Sequence, residues 1–134
     1  MEQPTKANER ATDRFIRQLA AAIPDVAMLL EEHIRDNDEI LEYVFMGAYL
    51  WPWLEEQVNS GTDGGLDVAR QYLDLLEAEL ARDNADTRNL IDVEFLEWFE
   101  GPGHDSLRAM LPPVLKRKAE ARTRGPKQHD LETH

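Results

Sequence analysis

The chain has 134 residues, with 27 acidic side chains against 15 basic ones and no cysteine. A net charge of −12 argues against nucleic acid or an anionic membrane as a direct ligand, because both need clustered Lys and Arg. The missing cysteine excludes disulfide frameworks, thiolate metal sites and a cysteine nucleophile, and the length suits one domain with its own core.

The charge is unevenly spread. Residues 1–20 carry +1, residues 21–103 carry −16 and residues 104–134 carry +3. A field of that sign aids solubility and speeds encounter with basic partners, while self-repulsion costs stability. The start, Met1-Glu2-Gln3-Pro4, has no apolar run of the kind a secretory signal needs. The longest uncharged stretch, Tyr43 to Leu54, is 12 residues, short of the roughly 20 that span a bilayer. A cytoplasmic location is the simplest expectation.

Helical periodicity dominates. A first helix is predicted over about 6–23, with Phe15, Ile16, Leu19 and Ile23 in one stripe. Pro24 opens a second, to about Arg35, with Val26, Leu29, Leu30 and Ile34 apolar and His33 among them. Asn37 or Asp38 is placed to cap a third helix over about 38–58. Pro52 lies inside it and predicts a kink or break, since it lacks the N–H that would reach Ala48.

Ser60 to Gly65 is the clearest loop. A fourth helix is expected over about 65–82, with Leu66, Ala69, Tyr72, Leu73, Leu76 and Leu80 facing inward. A fifth covers about 86–100, where Ile91, Phe95, Trp98 and Phe99 share one face and Leu90, Val93, Glu94 and Glu97 the other. The sixth begins near Asp105 and must bend or restart at Pro112-Pro113. No stretch alternates like a strand. The reading is all-α: about six helices in antiparallel pairs, as an irregular bundle or short stack of helical hairpins. One domain over 1–120 precedes a polar, frayed tail over 121–134, and the third and fifth helices are its central members.

Chemistry-bearing motifs are sparse. His33 is expected to be a core histidine with a hydrogen-bonded partner, and no Glu-x-x-His pair accompanies it. Glu31/Glu32, Glu55/Glu56 and Glu94/Glu97 read as solvated carboxylates. Asp92 points toward the apolar side of its helix and reads as a structural anchor. Trp51 and Trp53 flank Pro52 and suit core packing at a kink. His104, His129 and His134 read as surface residues. No phosphate loop or serine elbow is present. No catalytic residue, metal or cofactor is expected.

The segment Asp36-Asn37-Asp38-Glu39-Ile40-Leu41-Glu42-Tyr43-Val44-Phe45-Met46-Gly47 resembles a signature of a family of small, acidic, all-helical bacterial proteins. Asn89-Leu90-Ile91-Asp92-Val93-Glu94-Phe95-Leu96-Glu97 resembles its second signature, and Leu111-Pro112-Pro113-Val114-Leu115 its closing segment. The likeness spans about residues 25–118. It departs at Glu42-Tyr43, where the family pattern has Pro-His, and at Ala48, where it has an acid, so a family site there would be altered. Such proteins look like the immunity proteins that accompany polymorphic toxins. The resemblance implies a non-enzymatic, cytoplasmic protein that neutralises a cognate toxin domain with a basic surface. The residues expected to carry the contact are Asp38, Glu39 and Glu42 at the start of the third helix, and Glu94 and Glu97 on the fifth. Two other expectations stand beside it. One is a helical scaffold acting as a homo-oligomer through the mixed face of the fifth helix. The other is a ligand site built from His33, Asp92, Trp51 and Trp53.

Overall fold

The computed structural model describes residues 10–100 and 104–122. Among the described residues there are seven helices and no strand. Helix α1 is Ala11–Ala22 and α2 is Pro24–Asn37, turned by Ile23 in extended backbone with proline opening α2. Helix α3 runs without interruption through three segments: α-helical Glu42–Val44, π-helical Phe45–Leu50 and α-helical Trp51–Asn59. Helix α4 is Asp63–Ala81 and α5 is Ala85–Glu94, continued by a 3-10 turn over Leu96–Glu100. Helix α6 is Asp105–Ala109, and α7 covers 113–122. The tail boundary drawn at 120 therefore falls inside α7, and residues 123–134 lie outside the described residues, as do residues 6–9 of the expected first helix.

Helix α3 is central, as its uncharged run implies, and packs on α1, α2, α4, α5 and α6. Helix α1 is equally central, touching α2, α3, α4 and α5. Ile16, Leu19, Phe45, Leu50, Leu54, Leu73, Leu76, Leu90 and Ile91 are fully enclosed in one continuous core.

Three local departures from the expected elements have physical causes. Pro52 does not break α3. The turn before it widens instead, with the Trp51 N–H reaching the Met46 carbonyl. That π segment absorbs the bond Pro52 cannot make, leaving the proline in the first turn of the next segment, where its missing N–H is harmless. Asp38 does not cap α3; it ends α2 in left-handed backbone at φ 65°, with its N–H on the Ile34 carbonyl at 2.7 Å. Helix α3 then starts four residues later, because His33 Nε2 accepts the Leu41 N–H at 2.9 Å and holds the linker against α2. Helix α5 ends at Phe95 (φ −132°, ψ −59°), where the chain tightens into the 3-10 turn.

Side chains satisfy the helix ends that sequence marks as loops. Thr62 accepts the Gly65 N–H at 3.0 Å, and Asn84 accepts those of Asp86 and Thr87 at 3.0 and 3.1 Å. After Pro112-Pro113 the chain restarts as α7. Glu77 of α4 caps it, accepting the N–H groups of Val114 at 2.9 Å and Leu115 at 3.0 Å. Buried Glu79 ties three helices together. It accepts both Arg14 Nη atoms of α1 at 3.1 and 2.7 Å and the Thr87 hydroxyl of α5 at 2.8 Å. Burial alone would raise its pKa, but those bonds outweigh burial and hold it below the usual carboxylate value.

Candidate protein-binding surface

The start of α3 packs directly against α5. The α3 part of the first signature segment, residues 42–47, is thereby brought against the second, 89–97. Tyr43 Oη accepts a hydrogen bond from Asn89 Nδ2 at 2.7 Å across the seam. Large apolar side chains remain outside here: Tyr43 is 37% exposed, Val44 45% and Trp98 42%. Trp98 lies stacked on buried Trp51 with ring centres 5.6 Å apart. One ring face is therefore backed by the core, a rigid arrangement suited to an anchor.

Glu94 sits beside that ring. Its carboxylate lies against the backbone at Gly47, where an added Cβ would collide with Oε1. A glycine in the π segment thus makes room for an acid. Burial raises the Glu94 pKa, Glu97 adds to the rise, and the Trp98 indole acts against it. No cation among the described residues pairs with Glu94. Val93, Glu94, Glu97 and Trp98 line a shallow hollow of about 360 Å³.

The five residues expected to carry the contact do not form one free acidic face. Asp38 and Glu39 are exposed in the α2–α3 linker. Glu42 is the clearest correction: it is buried, and Arg10 Nη2 donates to it at 2.7 Å. Arg10 lies just ahead of α1, and α1 packs on the start of α3, which turns Glu42 inward. Glu94 and Glu97 share the hollow, and Glu97 also meets Arg122 at 3.3 Å. Leu90, expected on the outer sector of α5, is fully buried, because α1, α3 and α4 all pack on that helix.

Trp98 was expected in the buried stripe. That stripe assumes an unbroken α-helix to residue 100. With 3-10 spacing from Leu96 onward, Leu96 and Phe99 align and point inward while Trp98 turns out. Tyr43 and Val44 lie inside an uncharged run, where no periodicity separates inner from outer positions.

The expected ligand constellation does not assemble. His33 is a core residue, packed on Phe45 and Tyr49. Trp51 meets Phe95, Phe99 and His104, whereas Trp53 meets Tyr72, since residues two apart on a helix point to different sides. Asp92 is only half-buried. His104 is half-buried against Trp51 and Phe99, with Glu55 at 3.5 Å, and is not the open surface residue expected. No described helix is long and apolar enough to cross a membrane.

Fold and face together define a small all-α domain with an acidic surface that leaves aromatic and aliphatic side chains exposed. Residues 16–125 match the model of a family described as a domain of unknown function, DUF7674, and the chain belongs to that family. No curated protein and no solved structure matches the chain.

Proposed function

We propose that this chain is a non-enzymatic binding protein, a cytoplasmic bacterial immunity protein that neutralises a cognate toxin domain by covering a basic surface. The observation that carries the reading is the exposed trio Tyr43, Val44 and Trp98 set beside the half-buried Glu94. The acidic central segment steers a basic partner inward and raises the association rate. Trp98, already braced on Trp51, then enters a pocket of the partner and slows dissociation. A cation from the partner reaches Glu94 at little further desolvation cost, because burial has already stripped part of its water.

The test is a pull-down from native lysate at about 0.1 M salt, where the Debye length is near 10 Å, read by mass spectrometry. A single stoichiometric partner with a basic domain is expected, and Trp98→Ala should weaken its binding by about thirtyfold or more. Recovery of no such partner, or full affinity in Trp98→Ala, defeats the reading. The same exposed trio also suits a second copy of the chain, which supports a homo-oligomeric scaffold as the alternative. Light scattering of the purified protein separates the two.

A further inference from the structure

We infer that the outer face of α2 is a second docking surface, a groove that takes a basic amphipathic segment of a partner protein. Val26, Leu30 and His33 turn α2 inward. Asp25, Met28, Leu29 and Glu32 follow one another at helical spacing on another side and, with Glu31, Trp53 and one base, Arg35, line an open groove of about 340 Å³ in which three acids outnumber that base. Its floor is apolar. Met28 is 68% exposed, the largest exposure of any large apolar side chain described. The Trp53 indole N–H donates to Asp25 at 3.3 Å, fixing one acid at the rim.

Charge complementarity selects the occupant. Residues 24–41 hold six acids and a single base, Arg35. Neither Glu31 nor Glu32 pairs with a cation among the described residues. A segment with alternating apolar and basic faces matches both floor and rim, its Lys or Arg stems lying along Met28 while the charged heads reach the carboxylates. Methionine adapts to differently shaped apolar side chains.

The inference rests on reading the chain as a protein that binds a basic partner, but its test needs no natural partner. The chain has no cysteine, so Arg35→Cys carries a single environment-sensitive dye at the groove. Asp74→Cys on exposed α4 is the control position. The probe is a 14-residue synthetic peptide of Leu and Lys in amphipathic helical register, and its partner control has Ser for every Leu. A saturable dye shift at residue 35 and none at residue 74 is expected. The Ser peptide should bind at least tenfold more weakly. Met28→Ser and the pair Glu31→Gln/Glu32→Gln should each lower affinity at least fivefold, whereas Asp67→Asn/Asp74→Asn should not. Equal shifts at both dyes, equal binding of the Ser peptide, or indifference to Met28→Ser overturns the groove. So does a dye shift that grows with protein concentration alone, which would mean that a second copy fills it. Circular dichroism checks that each variant, altered only at exposed positions, keeps its helices. A seated peptide with no partner in the pull-down defeats the proposed function and leaves the groove. A partner held through Trp98 by a chain that seats no peptide does the reverse.

Discussion

Glu94 concentrates the tension between stability and binding in one side chain. Its pKa is raised in the folded chain, first by burial and then by Glu97. A carboxylate with a raised folded pKa binds its proton more tightly in the native state than in the unfolded one. Ionising it therefore costs stability, beginning as pH rises past the ordinary value of about 4.5. Glu94→Gln keeps the shape and removes the charge. Its melting temperature should exceed that of the wild-type chain at pH 7, and the gap should close as pH falls to 4 and below. The same variant should lose affinity for a basic partner, since the charge that destabilises the free protein is the one the partner neutralises. Thermal melts across pH, read beside binding titrations, check both halves. A melting temperature unchanged at pH 7 would mean that Glu94 is solvated. The sequence marks Glu94 as one acid among many. Nothing in it shows that Gly47, distant along the chain, leaves the space in which Glu94 sits.

At the scale of elements, the joints between helices carry the informative chemistry. The α2–α3 joint depends on His33 accepting the Leu41 N–H, which requires Nε2 to be unprotonated. Burial lowers the His33 pKa, with Asp36 and Glu42 pulling the other way. The unfolded chain therefore takes up this proton first. The stability His33 contributes is complete above pH 6.5 and is lost as pH falls through that value and onward through the folded pKa. His33→Leu leaves the Leu41 N–H without its acceptor and should cost about 1–3 kcal/mol at pH 7.5. Its deficit relative to wild type should shrink by pH 5, because only the wild-type chain loses stability over that range. Denaturant unfolding at both pH values decides it, and a constant deficit would refute the assignment. Glu77→Ala should cost about 1–2 kcal/mol by uncapping α7, with hydrogen exchange of the Val114 and Leu115 amides accelerating while α1 and α2 stay protected. Helix number, a loop after Asn59 and the restart after Pro112-Pro113 were legible because composition and periodicity are local signals, but the loop is only residues 60–62, since the Thr62 cap lets Asp63, Gly64 and Gly65 form the first turn of α4. The π segment, the 3-10 turn at Leu96 and the Glu77 cap were not: apolar periodicity does not separate an α-helix from a short π or 3-10 stretch, and the cap comes from a distant element. The outward turn of Trp98 followed from the second of these.

For the molecule as a whole, fold and charge act in opposite directions. Burying one core compacts a chain of net charge −12, and the cross-helix Arg–Glu pairs among the described residues, Arg10 with Glu42, Arg14 with Glu79 and Arg122 with Glu97, engage only a small part of the acidic excess. Most remaining acids lie exposed around α2, α4 and the helix ends. Self-repulsion of that kind is relieved by screening, whereas attraction for a basic partner is weakened by it. Raising sodium chloride from about 0.02 to about 0.5 M shortens the Debye length several-fold. It should therefore raise the melting temperature by about 2–5 °C and lower the association rate of a basic partner by about tenfold or more. The dissociation rate should change far less, because Trp98 and Met28 hold by apolar contact that salt does not weaken. Calorimetry and stopped-flow binding on the same samples measure all three quantities. A melting temperature that falls with salt would place the stability of the chain in its ion pairs. An association rate indifferent to salt would remove the acidic surface from the recognition mechanism and leave only the apolar face.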